Sequence, residues 1–182
     1  SIAVFINSQI RTKNIAEITK RISTNQSILN RHLQKLDATE HQLKKLQDKE
    51  LPQPLPFDSQ ELQSVTRELT TSETLMSEAK KRYDHFRADA NKKSCNVCGS
   101  LLNKEESHAA ALLARDEYNS IKPDVELLKA KKEELFMLKL ENEEYDFWKS
   151  SISKIKNELE QLNSDNTISS IDKQLISDNE LL

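Results

Sequence analysis

Two cysteines, Cys95 and Cys98, stand in the run Cys95-Asn96-Val97-Cys98-Gly99 and are the only cysteines in the chain. Two thiolates at this spacing can bend around one metal ion, and a glycine after the second eases the turn. A structural zinc takes four ligands in a tetrahedron. The four histidines are His32, His41, His85 and His108. His85 and His108 lie nearest, each ten residues from a cysteine. On straight helices that is about 15 Å, against a Zn–N bond of about 2 Å. The remaining ligands must then come from outside the chain. The simplest supplier is a second copy, which gives a homodimer sharing one Zn²⁺ across a two-fold axis. The same spacing also marks redox dithiols. Those sit in a strand–helix context, with the first cysteine at a helix N-terminus. A metal site, a thiol–disulfide element and a chemically silent pair are therefore three readings of one motif. Lys92 and Lys93 favour thiolates electrostatically. They serve equally well as solvated cations at a helix C-terminus.

No other constellation competes. His85 and His108 straddle the tip, but exposed helix positions account for them. Tyr145 and Trp148 fit a packing seam better than a base-stacking platform. Glu133-Glu134 and the acidic run from Glu141 to Glu144 lack an enclosure that would make paired carboxylates catalytic. A single glycine rules out a phosphate-binding loop, so this segment is not expected to be an enzyme.

The elements that must carry the motif are helices. The chain has 182 residues, one glycine, four prolines, 31% charged residues and 5% aromatics. So few turn formers cannot fold a compact domain of this length, and burial should run as a thin seam. Net charge is −3 with both signs interspersed, which gives no basic stripe for nucleic acid. Lys80-Lys81-Arg82 and the cluster from Lys129 to Lys132 read as solvated faces. No apolar run approaches the roughly 20 residues of a membrane span, and no signal peptide is expected at Ile2-Ala3-Val4-Phe5-Ile6. Sparse cysteines suit a reducing, intracellular setting. Both termini read as cuts through a longer protein.

The first arm repeats every seven residues. Ile15, Ile22, Leu29, Leu36 and Leu43 take one core position; Ile18, Asn25, His32, Thr39 and Leu46 take the other. Asn25 and His32 either fix the register or lie at the seam's edge. Pro52, Pro54 and Pro56 end the repeat, and Asp58 with Ser59 caps a new helix. The next seam runs Leu62, Val65, Leu69, Ser72, Met76, Ala79, Tyr83, Phe86, Ala90. Beyond the cysteines, Leu102, Ala109 and Leu113 open a series continued by Tyr118, Ile121, Val125, Leu128 and Leu135. A register slip follows, with Leu138, Tyr145, Ile152 and Leu159 on one line and Trp148, Ile155 and Leu162 beside them.

Folding the chain about its cysteines gives nearly equal arms. Val65 then faces Leu128, Leu69 faces Asp124 and Val125, and Ser72 faces Ile121. The proline segment lies opposite residues 137–141, next to the slip, as an interrupted antiparallel coil requires. The expected fold is all-α: a long antiparallel coiled-coil hairpin with a CxxC zinc hook at its tip. It is interrupted near residues 51–57 and 121–123. Residues 1–50 form an ascending arm, 51–58 a proline-rich interruption, 59–93 the arm near the hook and 94–103 the tip. Residues 104–182 form a descending arm with breaks near 123 and 163–167.

A central C-x-x-C between two long coiled-coil arms resembles the zinc hook of the SMC-like DNA-repair ATPases, of the bacterial SbcC type and its eukaryotic, archaeal and phage relatives. The motif maps onto Cys95 and Cys98 as zinc ligands. Asn96 stands where the usual form has proline, and Gly99 matches a common choice after the second cysteine. The resemblance implies ATPase heads elsewhere in a complete protein, a partner nuclease, and DNA ends as the object in break repair and recombination. It implies no membrane. A coiled-coil scaffold without metal, or a redox element, is the alternative.

Overall fold

The computed structural model describes residues 2–94, 98–101 and 103–182. Four helices occupy them: α1 (Ile2–Asp48), α2 (Ser59–Asp89), α3 (Lys104–Asn163) and α4 (Asn166–Glu180). No strand is present among the described residues beyond one isolated antiparallel bridge, Ser94 to Leu101. None of these helices is long and apolar enough to cross a membrane. The chain divides into two bodies, Gln53–Glu144 and Ser1–Pro52 with Tyr145–Leu182.

In the body Gln53–Glu144, α2 and the first part of α3 run antiparallel. Arg82 Nη2 meets Glu117 Oε2 at 2.7 Å, and further from the bridge Lys129 Nζ lies 3.0 Å from Glu73. Lys131 reaches Glu61 at 2.9 Å, and that contact raises the lysine pKa. Numbers rise on one helix as they fall on the other. Val65 and Leu69 are buried on α2, with Val125 and Leu135 on α3, as the seven-residue repeat predicts. Near the tip the seam differs from the expected series. Leu113 is 72% exposed, whereas Ser107, Ala111 and Ala114 are buried, opposite a helix whose Ala79 is fully buried. Small side chains allow close helix approach, which leaves little of their surface exposed. Alanine carries too weak a hydrophobic signal to stand out beside two leucines.

The expected interruption at 121–123 is a correction. Residue 123 is a proline inside α3, and the helix passes through it without a break. Proline removes one helical hydrogen bond and crowds the carbonyl four residues earlier. Here the paired α2 holds the chain helical on both sides, through Arg82–Glu117 before the proline and buried Val125 after it. Tertiary packing outweighs the local preference.

The proline segment between α1 and α2 is non-helical. Asp58 caps α2 by accepting the amide of Gln60 at 2.8 Å. Asn142 Nδ2 donates to the Leu55 carbonyl at 2.8 Å and to Leu138 at 2.9 Å. The bond to Leu55 satisfies a backbone carbonyl of the proline-rich stretch, which has no helical partner there.

In the other body, α1 pairs antiparallel with the end of α3 and with α4. Lys35 Nζ lies 3.5 Å from Glu158, and Trp148 Nε1 donates to the Leu46 carbonyl at 2.8 Å. Tyr145, Trp148, Ile152, Ile155, Leu159 and Leu162, from the slipped series, are all half-buried. Asn25 is 8% exposed and so belongs to the seam, not its edge. Its Nδ2 is buried without a hydrogen-bond partner, a local cost of about 1–3 kcal/mol.

α3 ends at Asn163, and Asp165 caps α4 by accepting the Thr167 amide at 2.9 Å. Arg21 grips Asp178 through both Nε and Nη2, with Nε at 2.7 Å from Oδ2. Asp178 is 2% exposed. The guanidinium hydrogen bond holds its carboxyl below the ordinary range, against an opposing effect of burial. Such a group stabilises the fold above its unfolded pKa, about 3.9, and loses that contribution as pH falls through the lowered folded value. Hydrogen-exchange protection of residues 166–180, taken relative to the intrinsic exchange rate at each pH, should therefore fall as pH drops below about 4. In Asp178→Asn, α4 should already be loosened near neutral pH, with much of that acid dependence gone. An unchanged acid profile in the variant would show that another group governs α4.

Candidate metal centre

The cysteine loop opens where α2 ends. Ala90 donates its amide to Phe86 at 3.0 Å, Asn91 to Ala88 at 3.3 Å and Lys92 to Asp89 at 2.9 Å. This tight turn directs the chain into Ser94, which bridges to Leu101 and closes the loop's stem. Gly99 has φ +70°, a left-handed conformation that side chains with a Cβ adopt only under strain. Nothing lies within 4 Å of where a Cβ would stand, so backbone conformation and not crowding calls for glycine. Asn103 starts α3 by accepting the amides of Glu105 at 3.0 Å and Glu106 at 3.5 Å. Those two glutamates also suit the positive end of the helix dipole.

Cys98 is exposed, and its Sγ lies 2.9 Å from Ser100 Oγ. Cys95, the other expected ligand, lies outside the described residues, as do Asn96 and Val97. His85 is engaged on its own helix, with Nε2 3.1 Å from Asp89 Oδ2 and its ring packed on Phe86. Lys92 Nζ lies 3.9 Å from the same carboxylate, so buried Asp89 is flanked by two cationic or donor groups. His108 is exposed. Among the described residues no group of three or more metal-binding side chains converges. Sequence reasoning missed Ser100 and Asp89. A serine two residues after a cysteine was visible but carried no pattern. Asp89 was one acidic residue among many, and nothing in its spacing marked it for burial.

The donor set suits zinc in type and in part. Thiolate sulfur is a preferred zinc ligand, and a C-x-x-C pair provides two of the four positions. A hydroxyl near the sulfur is the kind of outer contact that orients a ligating thiolate.

No protein-family model matches the chain, and no solved structure matches it. The chain is similar to a protein of Escherichia phage T5 named probable exonuclease subunit 2. The two are 37% identical over 102 residues, covering 56% of this chain and 17% of the phage protein. The chain thus spans a small part of the length of that relative.

Proposed function

We propose that this segment is a zinc hook: a dimerisation module at the end of a coiled-coil arm. It belongs to an SMC-like ATPase that works with a nuclease on DNA ends, in double-strand-break repair and recombination. The observation that carries the reading is an exposed Cys98 thiol on a short, bridge-closed loop between two antiparallel helices. The resemblance at Cys95 and Cys98 supports it, and so does likeness to a phage protein named as an exonuclease subunit.

Cys95 and Cys98 of each copy would hold the ion, which supplies four-coordinate cross-linking of two chains. Cys98 keeps its sulfur at the surface, where a second tip can reach it. Gly99 turns the chain back, and Ser94 with Leu101 holds the stem closed. Lys92 and Lys93 offset the negative charge of clustered thiolates.

Zinc content per chain tests the reading. Purified protein should hold half an equivalent, one ion for two chains. One equivalent would mean a site completed within a single chain, and none would leave a metal-free scaffold; either result removes the hook.

A further inference from the structure

We propose that Leu101 is a contact between two copies of this chain, packed against the second tip beside the shared ion; this rests on the hook reading above. Leu101 is 88% exposed, more than any other large apolar side chain among the described residues. One exposed leucine alone carries no message, since apolar atoms cover much of any protein surface. Its position supplies the message. Leu101 bridges to Ser94 in the stem of the cysteine loop, three residues from Cys98.

A four-coordinate zinc with Zn–S bonds of about 2.3 Å places the sulfurs of the two copies about 3.8 Å apart. At that spacing the backbone flanking each Cys98 meets the other tip, and water leaves the surface between them. A leucine on the stem of the same loop is desolvated in the process, and the ion selects the second copy as the occupant. Leu113 provides the contrast. It is 72% exposed but sits on α3, about 13 Å along the helix from its first residue. A tip-to-tip joint leaves it in water. In a two-fold joint both copies of Leu101 contribute, so one substitution acts twice.

The test uses the zinc-loaded chain and sedimentation equilibrium over a concentration series, with zinc content and helicity measured on the same samples. Leu101→Ser should raise the dimer dissociation constant about tenfold to a hundredfold. Half an equivalent of zinc should remain at saturating protein, and the circular dichroism should be unchanged. Leu113→Ser should dimerise as the unsubstituted chain does. Equal affinity in Leu101→Ser overturns the proposal, and so does equal weakening by Leu113→Ser, which would indicate general surface hydrophobicity. If the unsubstituted chain holds no zinc and stays monomeric, the hook reading itself falls and takes this contact with it. A zinc-bound dimer indifferent to Leu101 removes the contact alone.

Discussion

Cys98→Ser should give a helical monomer. Light scattering should report 21.0 kDa for the variant and twice that for the unsubstituted chain. Binding of a structural zinc is worth on the order of 10 kcal/mol at neutral pH in small zinc-dependent folds. The Leu101 contact proposed above is worth a small part of this, because tenfold to a hundredfold in affinity is only about 1.4–2.7 kcal/mol. One substitution removes two of the four sulfurs in the pair, and serine is a poor zinc ligand by comparison. Helicity should survive, because the buried residues Val65, Leu69, Ala79, Val125 and Leu135 all lie on the helices and none in the loop. Serine also keeps a hydroxyl near Ser100, so the loop loses its metal affinity before its shape. Cys95→Ser and a chelator should reproduce the result. Variants that stay dimeric would place the joint along the seam instead.

Pro123→Ala should stabilise the body Gln53–Glu144. A proline inside a helix costs about 3 kcal/mol relative to alanine, through the lost amide and the clash with the preceding turn. The carbonyl released is that of Asn119. Just before it, Ser120 Oγ donates to the Glu117 carbonyl at 2.8 Å, which gives the disturbed turn one side-chain hydrogen bond. Alanine restores the missing amide and removes the ring. For a body of this size, a gain of that order raises the melting temperature by roughly 12–24 °C. Thermal unfolding followed by circular dichroism measures it. A fall would mean that α3 needs the proline geometry to stay against α2, so the proline would be an adaptation and not a burden.

The helices were legible because their signals repeat. Ile22, Leu29, Leu36 and Leu43 recur every seven residues. Three prolines in five positions admit no helix, and Asp58 is a cap wherever it precedes one. The slip after Leu135 was visible for the same reason, since Tyr145, Trp148, Ile152 and Ile155 form a new line. Other features were hidden for physical reasons. Pro123 is a breaker locally, and only the partner helix overrides it. Ala111 and Ala114 look neutral until a neighbouring backbone comes close enough to cover them. Arg21 and Asp178 are one pair among 27 basic and 30 acidic residues, and no spacing rule joins residues so far apart in the chain. At the tip, the cysteine spacing announced thiolate chemistry. The stem that presents Cys98 did not announce itself, because single bridge residues have no period.

The chain contains one tryptophan, and its indole N–H is tied to the carbonyl of Leu46 in the last turn of α1. The single indole fluorophore thus stands at the spot where the first helix stops. Its emission is a private gauge of that junction, readable without a label and blind to whatever happens among the cysteines.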